Sequence, residues 1–153
     1  MLTEAPPKDY TIACQKMKPS EVKNAWDMLF HVLKRSELYD DEGVGKLLTD
    51  CMTPNGLQMW LLRGEADGKH FPAGCMITGV GEEPYRGSKW LILLHVNDVV
   101  HIDFDQWKLA YGQLFDYASE RGAQWVEVYT ENPRAKELLT AFGFSTAGYR
   151  KAV

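Results

Sequence analysis

Residues 120–144 constrain this chain more than any other stretch, because their order reads as a helix end, a strand, a capped helix and a second strand. Residues 125–129 are rich in β-prone side chains. Asn132 suits the N-cap of a following helix, Pro133 suits its first turn, and Gly143 suits the left-handed turn that ends it. Ala135, Leu138, Leu139 and Phe142 recur at helical spacing and share one face.

The rest of the chain supplies the layers. Residues 1–8 carry Pro6-Pro7 and little pattern, and are expected to be irregular. Tyr10, Ile12 and Cys14 then alternate as in a half-buried strand. Ser20 is the expected N-cap of a helix whose stripe is Val22, Ala25, Trp26, Leu29 and Leu33. Asp40-Asp41 opens a second helix, with Val44, Leu47, Leu48 and Cys51 inward, and Thr53-Pro54-Asn55-Gly56 stops it. Strands are expected over 57–62 and 71–78 around a hairpin turn at 65–68, followed by a turn region over 79–87 and an apolar strand over 90–96. A long helix over 104–121 places Trp107, Tyr111, Leu114 and Ala118 inward and Gly122 just past its end.

A chain of 153 residues with no linker, repeat or low-complexity tract implies one domain, 1–153, with one buried core. Three cysteines without a C-x-x-C pair suggest buried thiols in a reducing compartment rather than disulfides or zinc. No His pair has metal-ligand spacing, and no metal is expected. No apolar run approaches the ~20 residues that span a bilayer, so no membrane association is expected. A net charge of -4 argues against a broad nucleic-acid surface.

The spacing N-x-x-A-x-x-L-L-x-x-x-G-F, from Asn132 to Phe144, resembles the C-terminal half of the GNAT superfamily of acyl-CoA-dependent N-acyltransferases. The element order β-α-α-β-β-β-α-β-α-β is similar to that family's over nearly the whole chain. The resemblance implies an α/β (α+β) fold with a mixed, mostly antiparallel central sheet and helices on both faces. It also implies an acetyl-CoA site where the 90–96 and 125–129 strands splay apart, with the pyrophosphate on the N-terminus of the long helix. Val96 would then present a backbone N–H to the thioester, and Asp105, Gln106, Lys108, Asn132 and Arg134 occupy the equivalent CoA-contacting positions.

Two parts of the family pattern are missing. The pyrophosphate signature is Arg or Gln, two residues, Gly, one residue, then Gly or Ala. Glycines let backbone N–H groups close on the phosphates. Here those positions are Ile102, Asp105 and Trp107, and the only glycine between Val96 and Gly122 is Gly112. In their place, Asp103 and Gln106 form a capping-box pattern, flanked by Ile102 and Trp107 as a hydrophobic staple. A carboxylate about 5 Å from a phosphate is repelled by roughly 3 kcal/mol at an effective dielectric of about 20. The helix dipole returns only about 0.3–2 kcal/mol. Repulsion wins unless Lys89, Lys108 or Arg134 holds the phosphates elsewhere. The second missing part is the family's general-acid Tyr, whose position is Leu139, with Tyr111 and Tyr149 as stand-ins.

Catalytic candidates are His95 and Asp98 on or beside the 90–96 strand, where His95 alternates with Leu94 and Val96 and is expected to face away from both. The expectation is a GNAT-like domain without a cofactor, with acetyl-CoA as cofactor and transfer to an amine as the alternative. The loss of the glycine loop is similar to that in small GNAT-like proteins of tailed phages, some encoded among virion genes. That resemblance implies a protein partner and a place in the host cytoplasm or in a virion. Trp107, Trp90 and Leu139 are the side chains expected to close the strand gap, and residues 79–87 and the first helical pair are the expected contact surfaces.

Overall fold

The computed structural model describes residues 9–128, 133–144 and 150–152. Its elements are β1 (Thr11–Lys16), α1 (Pro19–Asn24), α2 (Trp26–Lys34), α3 (Asp41–Met52), β2 (Gln58–Ala66), β3 (Lys69–Glu83), β4 (Ser88–Asp98), α4 (Phe104–Glu120), β5 (Trp125–Val128), α5 (Pro133–Ala141) and β6 (Arg150–Ala152). The six strands form one sheet in sequence order. Every neighbouring pair is antiparallel except β4 and β5, which run parallel on either side of α4.

Helices cover both faces of the sheet, giving two apolar layers. One joins Trp60, Leu62, Met76, Leu91 and Leu93 of the strands to Trp107, Leu114 and Leu139 of α4 and α5. The other joins Met59, Leu61, Cys75 and Ile77 to Val22, Leu29, Leu33 and Leu48 of the first three helices. The alternation of Met59/Leu61 with Trp60/Leu62 between layers is the period-2 pattern of a strand buried on both sides.

Helix ends follow the sequence signals closely. Asp40 caps α3 by accepting from the Gly43 N–H at 2.8 Å. Past α4, Gly122 has φ +75, its N–H bonds to Ser119 O, and Ala123 N–H bonds to Ala118 O. This is the paired 5→2 and 6→1 closure of a Schellman end. Gly143 ends α5 in the same way, at φ +87, with bonds to Thr140 O and from Phe144 N–H to Leu139 O. The hairpin between β2 and β3 turns through Asp67 and Gly68, both at positive φ, as a two-residue primed turn requires.

Four expectations need correction. The first helix begins at Pro19, so Ser20 lies inside it, and Glu21 reaches back to accept from the Lys18 N–H at 2.8 Å. Proline's fixed φ suits the first helical position, which moves the cap one residue upstream. That helix is also divided at Ala25 (φ -102, ψ 17), although bonds from Ala25 N–H to Glu21 O and from Leu29 N–H to Ala25 O carry the apolar stripe across. The 79–87 region is mostly strand: β3 continues to Glu83. Gly81 belongs there because the Trp90 ring lies against it, and a Cβ would meet that ring at 2.3 Å. The glycine admits an aromatic rather than marking a turn. Finally, Leu94 opposes no residue of β3, since His95 pairs with Ile77 and Leu93 with Thr78. This bulge places Leu94 beside Gly79, on the same face as His95 rather than opposite to it.

Candidate functional site

Among the described residues, parallel pairing of β4 and β5 runs from Trp90↔Trp125 to Leu93↔Val128, and the next residue of β4 is the bulged Leu94. Beyond that point lies a cavity of about 80 Å³ whose lining includes Leu93, His95, Val96, Tyr111, Val128 and Leu139. Leu139 is 1% exposed and Tyr111 6%. The side chains narrowing this gap come from α5 and α4, as expected for Leu139. Trp107 does not line the cavity but packs beside Tyr111, and Trp90 is not among the lining residues either. It alternates with Leu91 and Leu93, which join the α4 layer, and it stacks on Trp125 with ring centres 5.3 Å apart on the other face.

Tyr111 belongs to an aromatic cluster that joins α4 to α5. Its ring lies 6.1 Å from Trp107 and 5.0 Å from Phe142, and Phe142 lies 5.0 Å from Phe104 at the start of α4. Burial raises the Tyr111 phenol above its ordinary value, so it stays protonated. The other stand-in, Tyr149, and the CoA-position residue Asn132 lie outside the described residues, as does the side chain of Arg134.

The N-terminus of α4 is closed by its own side chains. Asp103 Oδ1 accepts from the Gln106 N–H at 2.9 Å, and Gln106 Oε1 accepts from the Asp103 N–H at 3.1 Å. Gln106 Nε2 also donates to Tyr10 O at 3.3 Å, tying the cap to the lead-in of β1. Ile102 and Trp107 are 1% and 5% exposed, as a staple demands. Next to this cap is an open pocket of about 660 Å³ lined in part by Asp9, Glu65, Asp67, Asp103 and His101. Sequence reasoning missed it because the carboxylates come from three separate segments. Asp105 and Lys108 are exposed on the outer side of α4, and Lys89 lies at the opposite end of β4, about 30 Å from Asp98 at strand rise. A pyrophosphate at this helix end would meet a carboxylate already bound to the N–H it needs, and the residues present do not fit such an anion.

His95 and Asp98 are not brought together. His95 is 4% exposed and sits against the first helical layer. Asn97 Nδ2 donates to Val32 O at 3.0 Å, which leaves Asn97 Oδ1 to accept from His95 Nε2 at 2.7 Å. His95 Nδ1 then accepts from the Tyr39 hydroxyl at 3.1 Å. Both ring nitrogens are engaged, and the lone pair a general base would use is already taken. Burial holds the His95 pKa below its ordinary value, opposed in part by the Asn97 bond. Asp98 is half-buried at the end of β4, on the other face. There it and Asp103 add to the effect of burial in raising the Tyr10 pKa. Val96 is half-buried and packs against the α4 layer. Among the described residues no group of three or more His, Cys, Asp or Glu could hold a metal ion, and no helix is long and apolar enough to cross a membrane.

No family model and no curated protein sequence matches the chain. Solved structures do. A probable acetyltransferase superposes with a TM-score of 0.68 at 13% identity, over 87% of this chain and 89% of that one. An aminoglycoside N-acetyltransferase in complex with CoA gives 0.65 at 16% identity, over 92% and 91%. A ribosomal-protein-alanine N-acetyltransferase from Brucella melitensis gives 0.65 at 17% identity, over 94% and 97%. At such identities the likeness speaks to architecture alone, and that architecture, from the antiparallel strands through the parallel β4–β5 pair, is the GNAT fold.

Proposed function

We propose that this chain uses the GNAT fold as a protein-binding scaffold and does not transfer acyl groups. The observation that carries this reading is the α4 N-terminus, where Asp103 and Gln106 satisfy each other's backbone N–H groups. Leu139, in place of a phenol, and a His95 held on both nitrogens support it. The surface on offer lies around the bulge and the β3–β4 turn, where Leu38, Leu94 and Tyr85 are 69%, 45% and 95% exposed. Solvated apolar side chains of this size are what a partner protein would cover. A virion-associated or host-cytoplasmic setting follows from the resemblance to small GNAT-like phage proteins and from nothing else.

A second reading is favoured by one feature. Past the bulge at Leu94 a cavity lined by His95, Val96, Val128 and Leu139 lies at the position where the resemblance to acetyltransferases places the acyl group. On that reading the chain moves an acetyl group from acetyl-CoA to an amine. A thermal melt with acetyl-CoA up to millimolar concentration separates the two. A ligand at 100 times its dissociation constant adds about 2.7 kcal/mol. No shift is expected, and a saturable rise would establish the enzyme reading.

A further inference from the structure

The outer face of α4 is arranged symmetrically about Gly112. Lys108 lies four residues before it and Asp116 four residues after, both exposed. The two are about 12 Å apart along the axis, too far to pair with each other. Among the described residues neither makes an ion pair within the chain. Gly112 itself has no internal role, since a Cβ there would meet nothing within 4 Å. A glycine inside a helix costs about 1 kcal/mol against alanine, so its place in a 17-residue helix is unexplained by the monomer. Leu109, on the same face, is 69% exposed. Beside this face a groove of about 790 Å³ runs between α4 and the edge strand β1, with Ile12, Cys14, Leu109 and Gly112 in its lining.

We propose that this face is a self-association surface, occupied by α4 of a second copy crossing antiparallel at Gly112. A two-fold axis there sets Lys108 of each copy opposite Asp116 of the other, giving two equivalent ion pairs from one sequence pattern. The missing side chain at Gly112 lets the helix axes approach closely, and Leu109 of each copy lies across the partner's glycine toward the groove beside β1. The occupant is chosen by charge complementarity: the same eight-residue spacing reads as its own complement only when reversed. The inference does not depend on whether CoA binds, because its readout is the oligomeric state of the chain without ligand.

The test is sedimentation equilibrium of the full chain, with a melt of each variant as the folding control. The wild type should be a concentration-dependent dimer. Lys108→Asp and Asp116→Lys should each weaken association by about tenfold or more, because each sets like charges opposite one another twice. The variant carrying both should recover it. Gly112→Leu should melt at or above the wild-type temperature, since the site is open and leucine favours helix, yet sediment as a monomer. A wild type that stays monomeric at high micromolar concentration overturns the proposal. So does a dimer indifferent to both single charge variants and to Gly112→Leu.

Discussion

The N-terminus of α4 and the gap between β4 and β5 are the two places where the resemblance to acyl-CoA-dependent acyltransferases leads one to expect a cofactor, and they are built in different ways. At the gap the backbone departs from regular pairing at Leu94, which bulges out of register with β3 just past the described β4–β5 pair Leu93↔Val128. There Leu139 and Tyr111 line a cavity of about 80 Å³. At the helix end two backbone N–H groups, those of Asp103 and Gln106, are taken by the Gln106 and Asp103 side chains. Strand splay follows from topology and twist, which many sequences support, whereas a phosphate cradle needs particular residues at particular positions. On the proposed reading the fold outlasts the site.

The largest expected effect falls at the gap. If Leu139 is core there, Leu139→Ala should cost about 2–5 kcal/mol in a denaturant melt, as deletions of buried leucine do. A loss under about 1 kcal/mol would mean that the gap is loose enough to admit a ligand, and would erase the contrast between the two regions.

His95 offers a second way to sharpen it. Replacing it with alanine leaves the Tyr39 hydroxyl and Asn97 Oδ1 without their imidazole partner, at a cost of about 1–3 kcal/mol. The sign of its pH dependence follows from burial. The folded-state pKa lies below the ordinary 6.5, so the unfolded chain takes up the proton first. The stabilisation from His95 is thus complete above about pH 6.5 and declines as pH falls through that value. In His95→Ala the acid limb of the stability profile should flatten over that window. A profile parallel to wild type would point to a solvated, base-like histidine instead.

What the sequence disclosed about these regions tracks how local each signal is. The cap at Asp103, the staple and the turns at Gly122 and Gly143 are written within six residues, and all were legible. The bulge at Leu94 was not, because it depends on the register of β3 against β4 and leaves no mark within β4 itself. The same holds for Gly81, which resembles a turn signal until the Trp90 ring is placed against it. The Tyr39–His95–Asn97 chain links residues 58 positions apart in the sequence and emerges only from the packing of α2 and α3 on the sheet. Lys89 looked like a phosphate ligand by composition, yet the length of β4 carries it to the wrong end of the strand.

The smallest effect concerns the helix end and separates its two contributions. Asp103→Ala removes the side-chain acceptor for the Gln106 N–H and should cost about 1 kcal/mol. Asp103→Asn keeps an acceptor oxygen and removes the charge, so the melt should move by only a few tenths of a kcal/mol. If repulsion alone excluded a phosphate, the asparagine variant would begin to bind acetyl-CoA while the wild type did not. We expect neither to bind, because the amide still occupies the N–H and the glycines that would bring further N–H groups to the anion are absent at Asp105 and Trp107. A saturable acetyl-CoA shift in Asp103→Asn alone would show that one charge, rather than the shape of the terminus, separates this chain from its CoA-binding neighbour.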